Sequence, residues 1–87
     1  DSTHFTSKSE CQLVYYSFDK SILLNVLDGG KVNFSKSEKD KEPCQIYMIE
    51  NIINTKNFEV LFEYCYSEEK VTVLSINEIG NEEVCLN

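Results

Sequence analysis

Apolar and polar side chains alternate most clearly over residues 58–66: Phe58, Val60, Phe62, Tyr64 and Tyr66 share one face of a strand, while Glu59, Leu61, Glu63 and Cys65 share the other. Ser67-Glu68-Glu69 then reads as a turn, and residues 70–77 (KVTVLSIN) as the strand that completes a hairpin. Residues 11–18 (CQLVYYSF) and 21–27 (SILLNVL) are dense in β-branched and aromatic types, which predicts two further strands around a turn at Asp19-Lys20. Asp28-Gly29-Gly30 predicts a tight hairpin turn, since Asp-Gly readily supplies positive φ, leading into residues 31–35 with Val32 and Phe34 on one side. Residues 36–43 (KSEKDKEP) predict a solvated, mixed-charge loop. Residues 44–50 predict a strand; Ile46, Ile49 and Ile53 recur near helical spacing, which leaves room for a short helical turn over 51–54. A last short segment, 83–86, carries Cys85 back to the body. The reading is an all-β domain over residues 11–87, a small antiparallel meander of six or seven strands forming a sandwich or partly closed barrel. Residues 1–10, polar except for Phe5, are expected to be a flexible N-terminal lead-in.

Composition narrows the chemistry. The 87 residues hold a single domain and exclude the large enzyme architectures. Cys11, Cys44, Cys65 and Cys85 lie 33, 21 and 20 positions apart, without the close pair that a zinc knuckle or a redox dithiol requires. An even count of widely spread cysteines predicts two structural disulfides and an oxidising compartment, with three pairings open. The first residue is Asp1 rather than Met, as expected of a secreted, extracellular product freed of its signal peptide. Apolar runs such as Ile22-Leu23-Leu24 are far too short to span a bilayer, so no membrane insertion is expected.

Catalysis is not expected. His4 is the only imidazole and lies in the lead-in, so no Ser or Cys has an evident base. Neither a Gly-rich phosphate loop nor a metal-binding motif occurs, and no cofactor is expected. With 15 Asp and Glu against 8 Lys and no Arg, the net charge of −7 repels nucleic acid and favours a basic extracellular protein as partner. The candidate binding surface is Tyr64 and Tyr66 with Glu68 and Glu69, because a hairpin tip is exposed and Tyr is favoured at interfaces. Tyr66-Ser67-Glu68-Glu69 also has the acidic surroundings found at sulfated tyrosines of secreted proteins, and Asn33-Phe34-Ser35 is an N-glycosylation sequon. The expected function is that of a monomeric, non-enzymatic binding module, an inhibitor or immune modulator. The alternatives are a small carrier of an apolar ligand and one structural module of a larger extracellular protein.

The order of the cysteines, with aromatic residues just after Cys11 and Tyr66 following Cys65, resembles a complement-control-protein (sushi) module. The resemblance implies protein binding and a pairing of Cys11 with Cys65 and Cys44 with Cys85. The sequence departs from that pattern in having no Trp between the last two cysteines, few of the expected glycines and longer later spacings. The functional expectation therefore rests on the residues themselves.

Overall fold

Side-chain caps decide the first third of the chain. Thr6 is extended, and its Oγ1 accepts a hydrogen bond from the Ser9 N–H at 3.1 Å, which opens a helix over Ser7–Tyr16 (α1). Asp19 does the same for Lys20–Gly29 (α2), its Oδ1 accepting from the Ile22 N–H at 3.1 Å. The Ser21 hydroxyl and then the Ile22 N–H hold the Asp19 carboxyl below its ordinary value. Ser17, in the left-handed region, ends α1 by letting the Phe18 N–H reach the Leu13 carbonyl at 2.9 Å.

The computed structural model describes residues 3–86. Its strands are Thr3–Phe5 (β1), Lys31–Glu38 (β2), Cys44–Ile53 (β3), Lys56–Cys65 (β4) and Lys70–Glu78 (β5). They form one open sheet in the order β1-β5-β4-β3-β2. β2 to β5 make the expected antiparallel meander, and β1 lies parallel to β5 at the far edge. The strands number five, and neither a sandwich nor a barrel is present among the described residues. Residues 3–10 of the expected lead-in contribute β1, the α1 cap and the first turn of α1.

The two N-terminal strands read from residues 11–27 are helices. Ser9, Gln12 and Leu13 are buried and Tyr16 is half-buried, a helical stripe that the β-branched and aromatic composition hides. Asp28-Gly29-Gly30 is likewise no hairpin turn but the end of α2 and its step into β2. Gly30 has ordinary extended backbone; glycine is needed there because a Cβ would meet Ile49 Cγ2 and sit 2.8 Å from the Val26 carbonyl. The tight hairpin turn lies instead at Asn54-Thr55 between β3 and β4, both residues having positive φ. This turn replaces the helical turn considered for 51–54.

Both helices pack on one face of the sheet. Leu13, Phe18, Leu23 and Val26 meet Ile53, Phe58, Val60, Val73 and Ile76 in a single core. Gln12 is fully buried and ties three elements together. Its Oε1 accepts from the Ile76 N–H at 2.6 Å, and its Nε2 donates to the Val84 carbonyl at 2.8 Å. Cys11 is bonded to Cys85, and Lys8 pairs with Glu83 at 2.9 Å, so one face of α1 straps the C-terminal segment down. Cys44 is bonded to Cys65 across directly paired positions of β3 and β4. All four cysteines thus form disulfides, and the pairing differs from the one the sushi resemblance implies. Two disulfides in so small a chain suit an oxidising, extracellular setting.

On the face without helices, Lys31, Glu50, Glu59 and Asn77 line up in one cross-strand row. Glu50 and Glu59 are direct neighbours, a repulsive arrangement. Three extra residues of β2 arch out between Asn33 and Glu38 and bring help. Lys36 Nζ lies 3.1 Å from Glu59, and Asn33 Nδ2 donates to Glu50 at 2.7 Å.

Candidate protein-binding surface

The β4–β5 connection builds the predicted surface from the backbone upward. Tyr66–Glu68 make a single helical turn, closed by the Glu69 N–H donating to the Tyr66 carbonyl at 3.2 Å with Glu69 in the left-handed region. This turn carries Tyr66, Ser67, Glu68 and Glu69 out of the sheet, and all four are exposed. The Tyr66 side chain is 72% exposed. Tyr64, one pleat inward, is half-buried and places its ring centroid 5.6 Å from that of Tyr66 at a tilt of 50°. The structure therefore brings all four predicted residues to one tip, braced by the Cys44–Cys65 bond at the residue preceding Tyr66.

The register extends this tip into a strip. Phe62 lies opposite Tyr47, and Tyr64 opposite Gln45. The Tyr47 and Phe62 rings stack at 5.6 Å with 27° between their planes, and the Tyr47 hydroxyl donates to Gln45 Oε1 at 2.8 Å. By strand alternation these residues continue the face that α1 and α2 cover further along, yet none belongs to the core cluster or to the side chains packed on it. Phe62 shares a strand face with the buried Phe58 but is itself half-buried in this strip. Tyr47 and Gln45 were not singled out from the sequence. Their only signal was odd-numbered spacing with Ile49 on β3, and that marks a face without saying where the helices stop.

Glu68 and Glu69 enter no ion pair among the described residues. The exposed loop 39–43, with Asp40 and Glu42, enters β3 at Cys44 and so lies at the same end of the sheet. Lys39, Lys41 and Lys70 lie there too, making that end a mixed-charge surface in which the β4–β5 turn itself is acidic.

Other chemistry-bearing residues are dispersed. His4 is exposed on β1 opposite Thr72, and its imidazole makes no hydrogen bond among the described residues. The Cys44 and Cys65 sulfurs lie within 4.8 Å of a Glu63 carboxylate oxygen, but the sulfurs are bonded to each other and offer no thiolate pair. Asn33 of the sequon is half-buried, its Oδ1 accepting from the Ser35 hydroxyl at 2.7 Å and the Ser35 N–H at 3.1 Å. Two open grooves, of about 630 and 540 Å³, lie beside Gly29–Ile52–Ile79 and beside Tyr15–Glu82. No helix among the described residues is long and apolar enough to cross a membrane. Comparison with protein-family models, curated proteins and solved structures gave no match to this chain.

Proposed function

We propose that the protein is a secreted, non-enzymatic binding module that acts as an inhibitor or immune modulator on an extracellular protein with a basic face. The observation that carries this reading is the strip Tyr47–Phe62–Tyr64–Tyr66, which lies outside the core packing and ends in the unpaired carboxylates of Glu68 and Glu69. Tyrosine is enriched among the residues that anchor protein interfaces, and carboxylates at the edge of such an anchor favour a basic partner. The strand hydrogen bonds and the Cys44–Cys65 bond preorganise it, so little ordering entropy is lost on association. The net charge of −7 favours encounter with a cationic surface. The sequon geometry is compatible with a glycan at Asn33, since one Nδ2 hydrogen remains for Glu50 after the other is replaced. The carrier alternative has less support: the sheet is open, the helices pack directly onto part of one face, and the grooves open to solvent.

The test is capture from extracellular fluid on immobilised wild-type protein, Tyr66→Ala and the Glu68→Gln/Glu69→Gln pair. A partner retained by wild type and lost from both variants supports the reading. Equal capture by all three, or co-purified lipid in place of protein, overturns it.

A further inference from the structure

Tyr66 is the most exposed of the five tyrosines, and its hydroxyl has no hydrogen-bond partner among the described residues. The Tyr47 hydroxyl donates to Gln45 and that of Tyr16 accepts from the Glu78 N–H, so each of those phenols is held against the fold. Tyr66 instead stands on a one-turn projection, with exposed carboxylates two and three residues further on at Glu68 and Glu69. We propose that Tyr66 is an acceptor for enzymatic O-sulfation.

Three observations converge on this modification. A sulfuryl transferase must bind a polyanionic activated sulfate, so its active site is cationic and draws in an acceptor flanked by carboxylates. The hairpin tip presents the phenol with its backbone outside any strand pairing, so a second protein can enclose it without opening the sheet. The two disulfides belong to an oxidising compartment, the same luminal route on which secreted proteins receive such groups. In the transfer the Tyr66 phenolic oxygen attacks the sulfur of phosphoadenosine phosphosulfate. The bond from sulfur to the phosphate oxygen breaks, adenosine bisphosphate leaves, and the phenolic proton passes to a base of the transferase. No electrons are exchanged. The aryl sulfate adds one permanent negative charge to an acidic tip that has no cation paired to it.

Tyr15 supplies the internal control. It is 63% exposed, but the residues two and three positions further on, Ser17 and Phe18, are uncharged, and Glu78, Glu82 and Glu83 only line the same open groove. The folded chain, both disulfides intact, is incubated with a tyrosylprotein sulfotransferase and phosphoadenosine phosphosulfate carrying radiolabelled sulfate, then digested and mapped. The expected result is label in the peptide containing Tyr66. Tyr66→Phe abolishes it, and Glu68→Gln/Glu69→Gln slows incorporation by about fivefold or more at low salt. Circular dichroism checks that each variant is folded. An unlabelled wild-type chain, label that persists in Tyr66→Phe, or label centred on Tyr15 overturns the proposal, as does incorporation indifferent to Glu68 and Glu69. No partner protein enters the test, so its outcome is separate from that of the binding reading.

Discussion

Gln12 shows how much one side chain can decide in a domain this small. It satisfies a backbone donor on β5 and a backbone acceptor in the C-terminal segment from a fully buried position. Gln12→Leu roughly fills the volume but strands the buried Ile76 N–H and takes the donor from the Val84 carbonyl. Urea unfolding should therefore show a loss of about 2–4 kcal/mol; a loss below about 0.5 kcal/mol would mean that water replaces the amide. Thr55 gives the opposite case, a residue that works against its own conformation. It is β-branched and held at φ 69° in the two-residue β3–β4 turn, where glycine has no Cβ to clash. Thr55→Gly should raise stability by about 1 kcal/mol, since a left-handed non-glycine residue costs about 1–2 kcal/mol and the added chain entropy offsets part of the gain. A lower melting temperature for this variant would show that the Thr55 hydroxyl, bonded to the Asn54 carbonyl, matters more than the backbone.

At the scale of elements, the helices and the strap are the parts that period and propensity concealed. Residues 58–66 declared themselves because period two is explicit there, with Phe58 and Val60 buried on one face; in β5 the buried Val73 and Ile76 lie three apart, because the register shifts by one residue opposite Leu61 and Phe62. α1 hid because its buried stripe includes polar Ser9 and Gln12, which a search for apolar spacing passes over. Thr6 sits in a polar stretch and Asp19 between two runs whose Val, Ile, Leu and Tyr content fits a strand as well as a helix, so neither stands out as a cap. Tertiary packing resolves that tie. The Asp19 cap has a pH signature. Its carboxyl is depressed in the folded state, so it contributes stability above the unfolded-state value near 3.8, and that contribution is lost as pH falls through the folded value. Asn caps without a charge, so Asp19→Asn should lower the melting temperature at neutral pH and match wild type in acid; a constant difference across pH would assign the effect to geometry alone. The disulfides rank by the chain they close. Cys11–Cys85 spans 74 positions and Cys44–Cys65 spans 21, so the paired alanine replacements should cost about 4 and 3 kcal/mol respectively under the chain-entropy model. Denaturant titration of the two double variants checks the order, and its reversal would show that Gln12 and Lys8 hold the strap without the covalent bond.

At the scale of the whole molecule, charge and apolar area sit in different places and should govern different steps of recognition. The hairpin tip was legible from the sequence because turns are exposed and acidic residues mark them; its continuation through Tyr47 and Phe62 depends on where the helices end, and that is a packing outcome. In the proposed interface the exposed Glu68 and Glu69 form a charged rim, so their attraction acts over the distance of approach and fades within about 10 Å at 0.1 M salt. In the same proposal Tyr66 and the rings behind it contribute only once water has been expelled. Surface plasmon resonance with the captured partner, run at several salt concentrations, should separate the two. Wild-type association should slow as salt rises, and Glu68→Gln/Glu69→Gln should be slower at low salt with a flatter salt dependence and an unchanged dissociation rate. Tyr66→Ala should leave association near wild type and speed dissociation by about thirtyfold, the kinetic equivalent of about 2 kcal/mol for an anchoring side chain. Tyr47→Ala should act in the same direction if the strip binds as a unit, because removing it leaves Phe62 without its stacking partner. Association indifferent to salt, together with wild-type dissociation from both tyrosine variants, would move the interface off this strip and leave the acidity as a feature of solubility.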